Sequence, residues 1–232
     1  MEETPNRRQT AFENLMTIVE RLRDPGGCPW DRKQTHESLR PHLIEECYEL
    51  IEAIDAGDVD GVAEELGDVL THVAFHADMA RRAGTFTVDD VLEQVTSKLI
   101  RRHPHVFGDA RKLETPGQVE DLWEEIKRGE HTTRTSVLDG IPSAMPALAY
   151  ASALQRRAAG ADVRCEKLPA AVEHLAGVSD GGAEEAAGDF LFAAVAAILD
   201  AGVDPETALR AAATRFNRHV RSTERGLGSA PP

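Results

Sequence analysis

Between Pro41 and Ala80 the chain carries eleven carboxylates and no lysine or arginine, while its apolar residues fall three or four positions apart. That spacing requires amphipathic helices, and the unrelieved negative charge requires a reason for holding them side by side, because like charges on neighbouring helical faces repel. Glu45-Glu46-x-x-Glu49 lies on one predicted helix, 39–56, and Glu65-x-x-Asp68 on the next, 58–83. The short Gly57-Asp58 turn makes the two antiparallel neighbours. With a rotation of about 100° per residue, Leu43, Cys47, Leu50, Ile51 and Ile54 form the first apolar stripe, and Val59, Val62, Leu66, Val69, Leu70 and Val73 the second. Glu46 and Glu49 flank one stripe at the offset that Glu65 and Asp68 take from the other, so the four carboxylates can converge.

Such acids are either solvated helix faces or a ligand set, and the missing positive partners favour the second reading. Four carboxylates without His or Cys select a hard cation, Mg²⁺ or Mn²⁺. A di-iron bundle would show Glu-x-x-His, and no glutamate here has a histidine three residues later. His72 and His76, which continue the flank of Glu65 and Asp68, read as helix-interface histidines.

The same periodicity predicts helices over 10–23, 87–102, 117–128, 145–159, 168–177, 183–201 and 205–225, an all-α chain. Thr87 with Asp90 reads as a capping box, Asp204-Pro205 as N-cap and N1, and Gly57, Gly84 and Gly202 as helix stops. The 232 residues carry 40 acids against 26 bases, a net charge of −14, which opposes a nucleic-acid groove. No apolar run is long enough for a membrane span and the N-terminus lacks a signal-peptide core, so the expected location is cytoplasmic. Three cysteines without C-x-x-C spacing imply neither disulfides nor a thiolate zinc site.

Two blocks are expected: 1–130, with 28 acids and 16 bases, and 147–228, joined by a Pro- and Thr-containing linker at 131–146 and followed by a disordered tail at 229–232. Ala63-Glu-Glu-Leu-Gly-Asp-Val-Leu and Ala183-Glu-Glu-Ala-Ala-Gly-Asp-Phe-Leu look like one segment used twice, which suggests tandem four-helix bundles.

On the 87–102 helix, Lys98 and Arg102 project within or beside the stripe of Val91, Leu92, Val95 and Leu99. Either they pair with the acids, or they bind anionic oxygens of a ligand. A divalent cation with inward Lys and Arg describes a polyphosphate site. No Walker sequence is present, so phosphate binding rests on metal and side chains. Trp30 and Trp123, the two tryptophans, are each a candidate base-stacking surface or a half-buried anchor.

Leu22-Arg-Asp-Pro-Gly-Gly-Cys-Pro-Trp-Asp31 with Gln34-Thr35, Glu45-Glu-Cys-Tyr-Glu49, Glu65-Leu-Gly-Asp68, Lys98-Leu-Ile-Arg-Arg-His-Pro-His-Val-Phe107 and Trp123-Glu-Glu-Ile-Lys127 together resemble the MazG-type nucleoside triphosphate pyrophosphohydrolases of the all-α superfamily. The resemblance spans nearly all of 10–130. It implies Mg²⁺-dependent hydrolysis of NTPs or dNTPs to monophosphate and pyrophosphate, a house-cleaning role in the nucleotide pool, and a homodimer. It also implies Glu46, Glu49, Glu65 and Asp68 as metal ligands, Lys98 and Arg102 on the phosphates, Trp123 against the base, and Glu45 orienting or deprotonating the water. The second block resembles a worn copy: Ala186 stands where Glu65 does, no Glu-Glu-x-x-Glu precedes it, and no catalytic metal is expected there. The contrasting expectation is a MazG scaffold that binds nucleotides or partners without catalysis.

Overall fold

The computed structural model describes residues 7–108, 113–130, 135–161, 163, 165, 167–178 and 182–227. These residues are helical, with no strand among them. Ten α-helices follow in order: α1 Arg7–Arg23, α2 Arg40–Ala56, α3 Val59–Ala83, α4 Val88–Arg102, α5 Pro104–Phe107, α6 Pro116–Glu130, α7 Ala147–Ala159, α8 Leu168–Gly177, α9 Ala183–Asp200 and α10 Pro205–Leu227. The nine longer ones stand where the periodicity puts them. The single turn α5 and a 3₁₀ turn at Asp31–Lys33 are too short to carry a period.

The chain divides into two compact units, Met1–Lys127 and Arg128–Pro232. Part of the expected linker, 131–134, and the expected tail, 229–232, lie outside the described residues. In the first unit α2 and α3 form an antiparallel hairpin. Gly57 adopts φ 69°, which glycine takes without the Cβ penalty, and Asp58 caps α3 by accepting from the Gly61 N–H at 3.1 Å. The Thr87–Asp90 capping box opens α4.

Along α3 the environment changes. Its last two turns are buried against α1, where Ala74, Phe75, Ala77 and Met79 join Met16, Val19 and Leu39 in the core. Its first turns pair with α2 and stay open: Leu66 and Leu70 on α3, and Ile51 and Ile54 on α2, are each more than a third exposed. The α4 stripe is likewise uncovered at Leu92, Val95 and Leu99.

At the buried end, Asp78 has no exposed side-chain surface and receives three guanidinium groups: Arg23 Nε at 2.9 Å, Arg81 Nη2 at 2.8 Å and Arg82 Nε at 2.6 Å. Glu20 and Asp24 take up the outer faces of Arg81 and Arg82. Burial pushes the Asp78 carboxyl up, but the hydrogen bonds from Arg82 and Arg81 outweigh it and hold the group below its ordinary value. Arg23 also donates to the Asp31 carbonyl at 2.6 Å and reaches that of Gln34, so one residue fixes the α1–α2 loop to α3. The loop turns at Gly27, where an added Cβ would lie 2.3 Å from the Leu22 carbonyl oxygen; no other residue fits.

Asp78→Asn leaves the nearly buried Arg23 charge unmatched and is expected to cost about 3 kcal/mol at neutral pH, read by urea unfolding with far-UV circular dichroism. Because the native carboxyl is depressed, its contribution is complete above the unfolded value of about 4 and is lost as pH falls through the native one. The two proteins should therefore converge only in strong acid. A constant difference down to pH 2 would refute the ionic origin.

Candidate metal and phosphate site

At the open end of the α2–α3 hairpin, Glu46 and Glu49 from α2 and Glu65 from α3 each offer a carboxylate oxygen within 4.8 Å of the others. Among the described residues this is the one such group of acidic, His or Cys side chains. Glu65 Oε2 is buried and has no hydrogen-bond partner. The Glu46 carboxyl is pushed up by burial, then by the charges of Asp68, Glu49, Glu65 and Glu45. That of Glu65 is pushed up by burial, then by Glu49, Asp68 and Glu64. Asp68, one turn beyond Glu65, is exposed and stands outside the three-oxygen group, yet its charge acts on both.

A converging set of hard oxygens, one of them buried without a hydrogen-bond partner, is an arrangement that a divalent cation satisfies. Lys98 is exposed on α4 and Arg102 half-buried at its end.

Glu45, outside the three-oxygen group, has His42 Nδ1 at 3.6 Å. His42 in turn meets the edge of Trp30, ring centroids 6.0 Å apart. Trp30 is 55% exposed. Trp123, on α6, is half-buried, packed edge-on against His103 at 5.0 Å, with its indole N–H unpartnered. In the second unit Ala186, which the sequence alignment of the Gly-Asp pairs sets against Glu65, is fully buried.

Sequence reasoning did not anticipate Asp78 as an ion-pair centre, nor a contact between His36 and His76 across the α1–α2 loop and α3. The first had a visible signal, Asp78-x-x-Arg81-Arg82 at helical spacing; the second joins residues forty apart and had none.

The MazG nucleotide pyrophosphohydrolase domain model matches residues 34–107. The chain is 47% identical over 222 residues to the nucleoside triphosphate pyrophosphohydrolase/pyrophosphatase MazG of Thermotoga maritima, an alignment that covers 92% of this chain and 85% of that protein. It is 38% identical over 230 residues to the nucleoside triphosphate pyrophosphohydrolase of Escherichia coli, covering 92% and 87%. A crystal structure of a MazG-related protein from Thermotoga maritima matches 50% of this chain and 98% of that one at 31% identity, with a TM-score of 0.43.

If mutual repulsion is the dominant force among these carboxylates, Glu49→Gln should raise the melting temperature in EDTA and reduce the stabilisation given by millimolar Mg²⁺ or Mn²⁺. Differential scanning fluorimetry reads both. A lower melting temperature in EDTA together with an unchanged metal response would refute the site.

Proposed function

The chain belongs to the MazG nucleotide pyrophosphohydrolase family, and from that premise we propose that it hydrolyses nucleoside triphosphates, NTP or dNTP, to the monophosphate and pyrophosphate at the α2–α3 hairpin, in a house-cleaning role in the nucleotide pool. The observation that carries the reading is the three-oxygen group with its orphaned Glu65 Oε2. Glu46, Glu49 and Glu65, with Asp68 beside them, would hold Mg²⁺, or Mn²⁺ in its place. When bound, the ion polarises phosphoryl oxygens and offsets charge on departing pyrophosphate.

The protein's own groups divide the remaining work. Glu45, exposed and adjacent to the ligand set, takes the proton of the attacking water, which ends in solvent as one proton per turnover. Lys98 and Arg102, one helical turn apart on α4, hold phosphate oxygens, Arg by a forked contact and Lys as a point charge. Trp123 lies against the base. The second unit is a tandem, degenerate copy: the Glu65 position is occupied by buried Ala186, so it carries no ion.

The uncovered apolar residues of α2, α3 and α4 fit a second copy of this chain. Ile51, Ile54, Leu66, Leu70, Leu92, Val95 and Leu99 are each more than a third exposed, apolar surface that a second copy would remove from water.

Two experiments test these readings. Incubation with the common NTPs and dNTPs and Mg²⁺, with products resolved by anion-exchange chromatography, should give monophosphate and pyrophosphate. Glu49→Gln and Asp68→Asn should lower kcat/KM by at least about a hundredfold, while Glu185→Gln and Asp189→Asn in the second unit should leave it within about twofold. Orthophosphate release, or no turnover with any nucleotide, favours instead a MazG scaffold that binds without catalysis. Light scattering behind size exclusion should give a dimer mass, shifted to monomer by Leu99→Asp; a monomeric wild type rejects the second copy.

A further inference from the structure

The α1–α2 loop is braced internally and pinned at two points. Gln34 Nε2 donates to the Trp30 carbonyl at 2.9 Å, Ser38 Oγ donates to Gln34 Oε1 at 2.7 Å, and the Thr35 N–H donates to Ser38 Oγ at 2.9 Å. Trp30, Gln34 and the start of α2 therefore move together. One pin is the Arg23–Asp78 pair, which stays charged through the neutral range. The other is a pair of imidazoles: His36 and His76 lie edge to edge with ring centroids 5.0 Å apart and planes within 7°, and their Nδ1 atoms are 2.7 Å apart.

Two ring nitrogens at that separation must share one proton, one N–H donating to the other's lone pair. With both protonated, two N–H groups and two positive charges would face each other, and the contact cannot survive. We infer that His36 and His76 form a one-proton latch that positions the Trp30 loop on α3, and that a second proton opens it.

The surroundings set the direction. Burial pushes the His76 imidazole down, followed by the charges of His36 and His72. Burial also pushes His72 down, with His42 adding to the effect and Asp68 opposing it. From the loop, Glu37 interacts favourably with a charged His36, and Arg40 lies beside Glu37. From α1, Arg23 is engaged by Asp78. Burial and the neighbouring imidazoles thus oppose charge on His76, and the contact keeps one proton between its nitrogens until the pH falls below the ordinary histidine range of about 6.5. Because Trp30 meets His42 and His42 meets Glu45, opening withdraws support from the wall beside the proposed catalytic carboxylate. His36 and His76 are positioning residues; neither touches the four acids proposed as ligands.

The inference about the latch itself stands on geometry, and its consequence for turnover rests on the proposed hydrolase. The test keeps the two apart. In full-length W123F, where Trp30 is the one remaining tryptophan, acrylamide quenching of Trp30 fluorescence should rise at least about twofold between pH 7.5 and 5.0 as histidine charges. His36→Phe removes one of the two proton sites and should flatten that profile; His36→Gln, which retains a hydrogen-bonding side chain, should flatten it as well if the phenyl variant fails to fold. Circular dichroism confirms that helicity is constant over the range. In otherwise wild-type protein, KM for the nucleotide should rise over the same interval more than kcat falls, and His36→Gln should remove that dependence. Trp30 quenching that is independent of pH in the parent, or that stays pH-dependent in both variants, overturns the latch whatever the activity. Absence of turnover with a normal quenching profile overturns the hydrolase and leaves the latch standing.

Discussion

A carboxylate with no exposure remains ionised only where cations surround it, and the geometry of the first unit follows from how Asp78 meets that condition. Its three arginines come from two places, Arg81 and Arg82 within α3 and Arg23 at the end of α1. The helical pair can form in any isolated helix. The Arg23 contact cannot, and it is this long-range contact that docks α1 on α3 and sends the same guanidinium into the carbonyls of the following loop. The apolar core of Met16, Val19, Phe75 and Met79 forms around that crossing. The ion pair specifies where the helices cross, and the core supplies the burial that holds them there.

With α3 fixed at its far end, its near end is free to carry charge that nothing neutralises. Glu65 and Asp68 precede Ala74, the first core residue of the helix, by nine and six positions and lie alongside Glu46 and Glu49 of α2, where acids outnumber bases. A hairpin that concentrates acids in this way is destabilised by them, so the helix must be anchored elsewhere. The division of α3 into a paired half and an unpaired half is the structural basis on which a cation-binding role rests: stability is supplied at one end, and repulsion stored at the other can be relieved by a ligand.

The helices and the convergence of Glu46, Glu49 and Glu65 were legible in the residues, because both depend on a rotation per residue and a short turn, and each is a local property. Asp68 shows where that reasoning loses resolution. Its angular offset matches Glu65, but one turn along the axis is enough to leave it outside the three-oxygen group while its charge still acts on the others. Lys98 illustrates a second limit. Hydrophobic periodicity says which face of α4 is apolar, not whether the described chain covers it, and Leu92, Val95 and Leu99 are in fact uncovered. The His36–His76 contact was not legible at all, since a loop residue meeting a helix forty positions away leaves no spacing to read.

If the second unit is the degenerate copy proposed for it, it holds the same helical pattern with the charge removed. Ala183–Asp200 carries Glu-Glu and Gly-Asp elements like those of α3, and with the two Gly-Asp pairs aligned the Glu65 position falls on Ala186, which is fully buried, with Ala193 and Val195 buried further along the helix. A methyl group there can be packed against a neighbouring helix, whereas a carboxylate must be left beside solvent or matched by a cation. One substitution of this kind turns a flank that repels its neighbour into a flank that packs on it. Loss of the acid and gain of a closed apolar interface are therefore a single physical event, and a copy that has undergone it gains stability from the surface at which its sister is proposed to bind an ion.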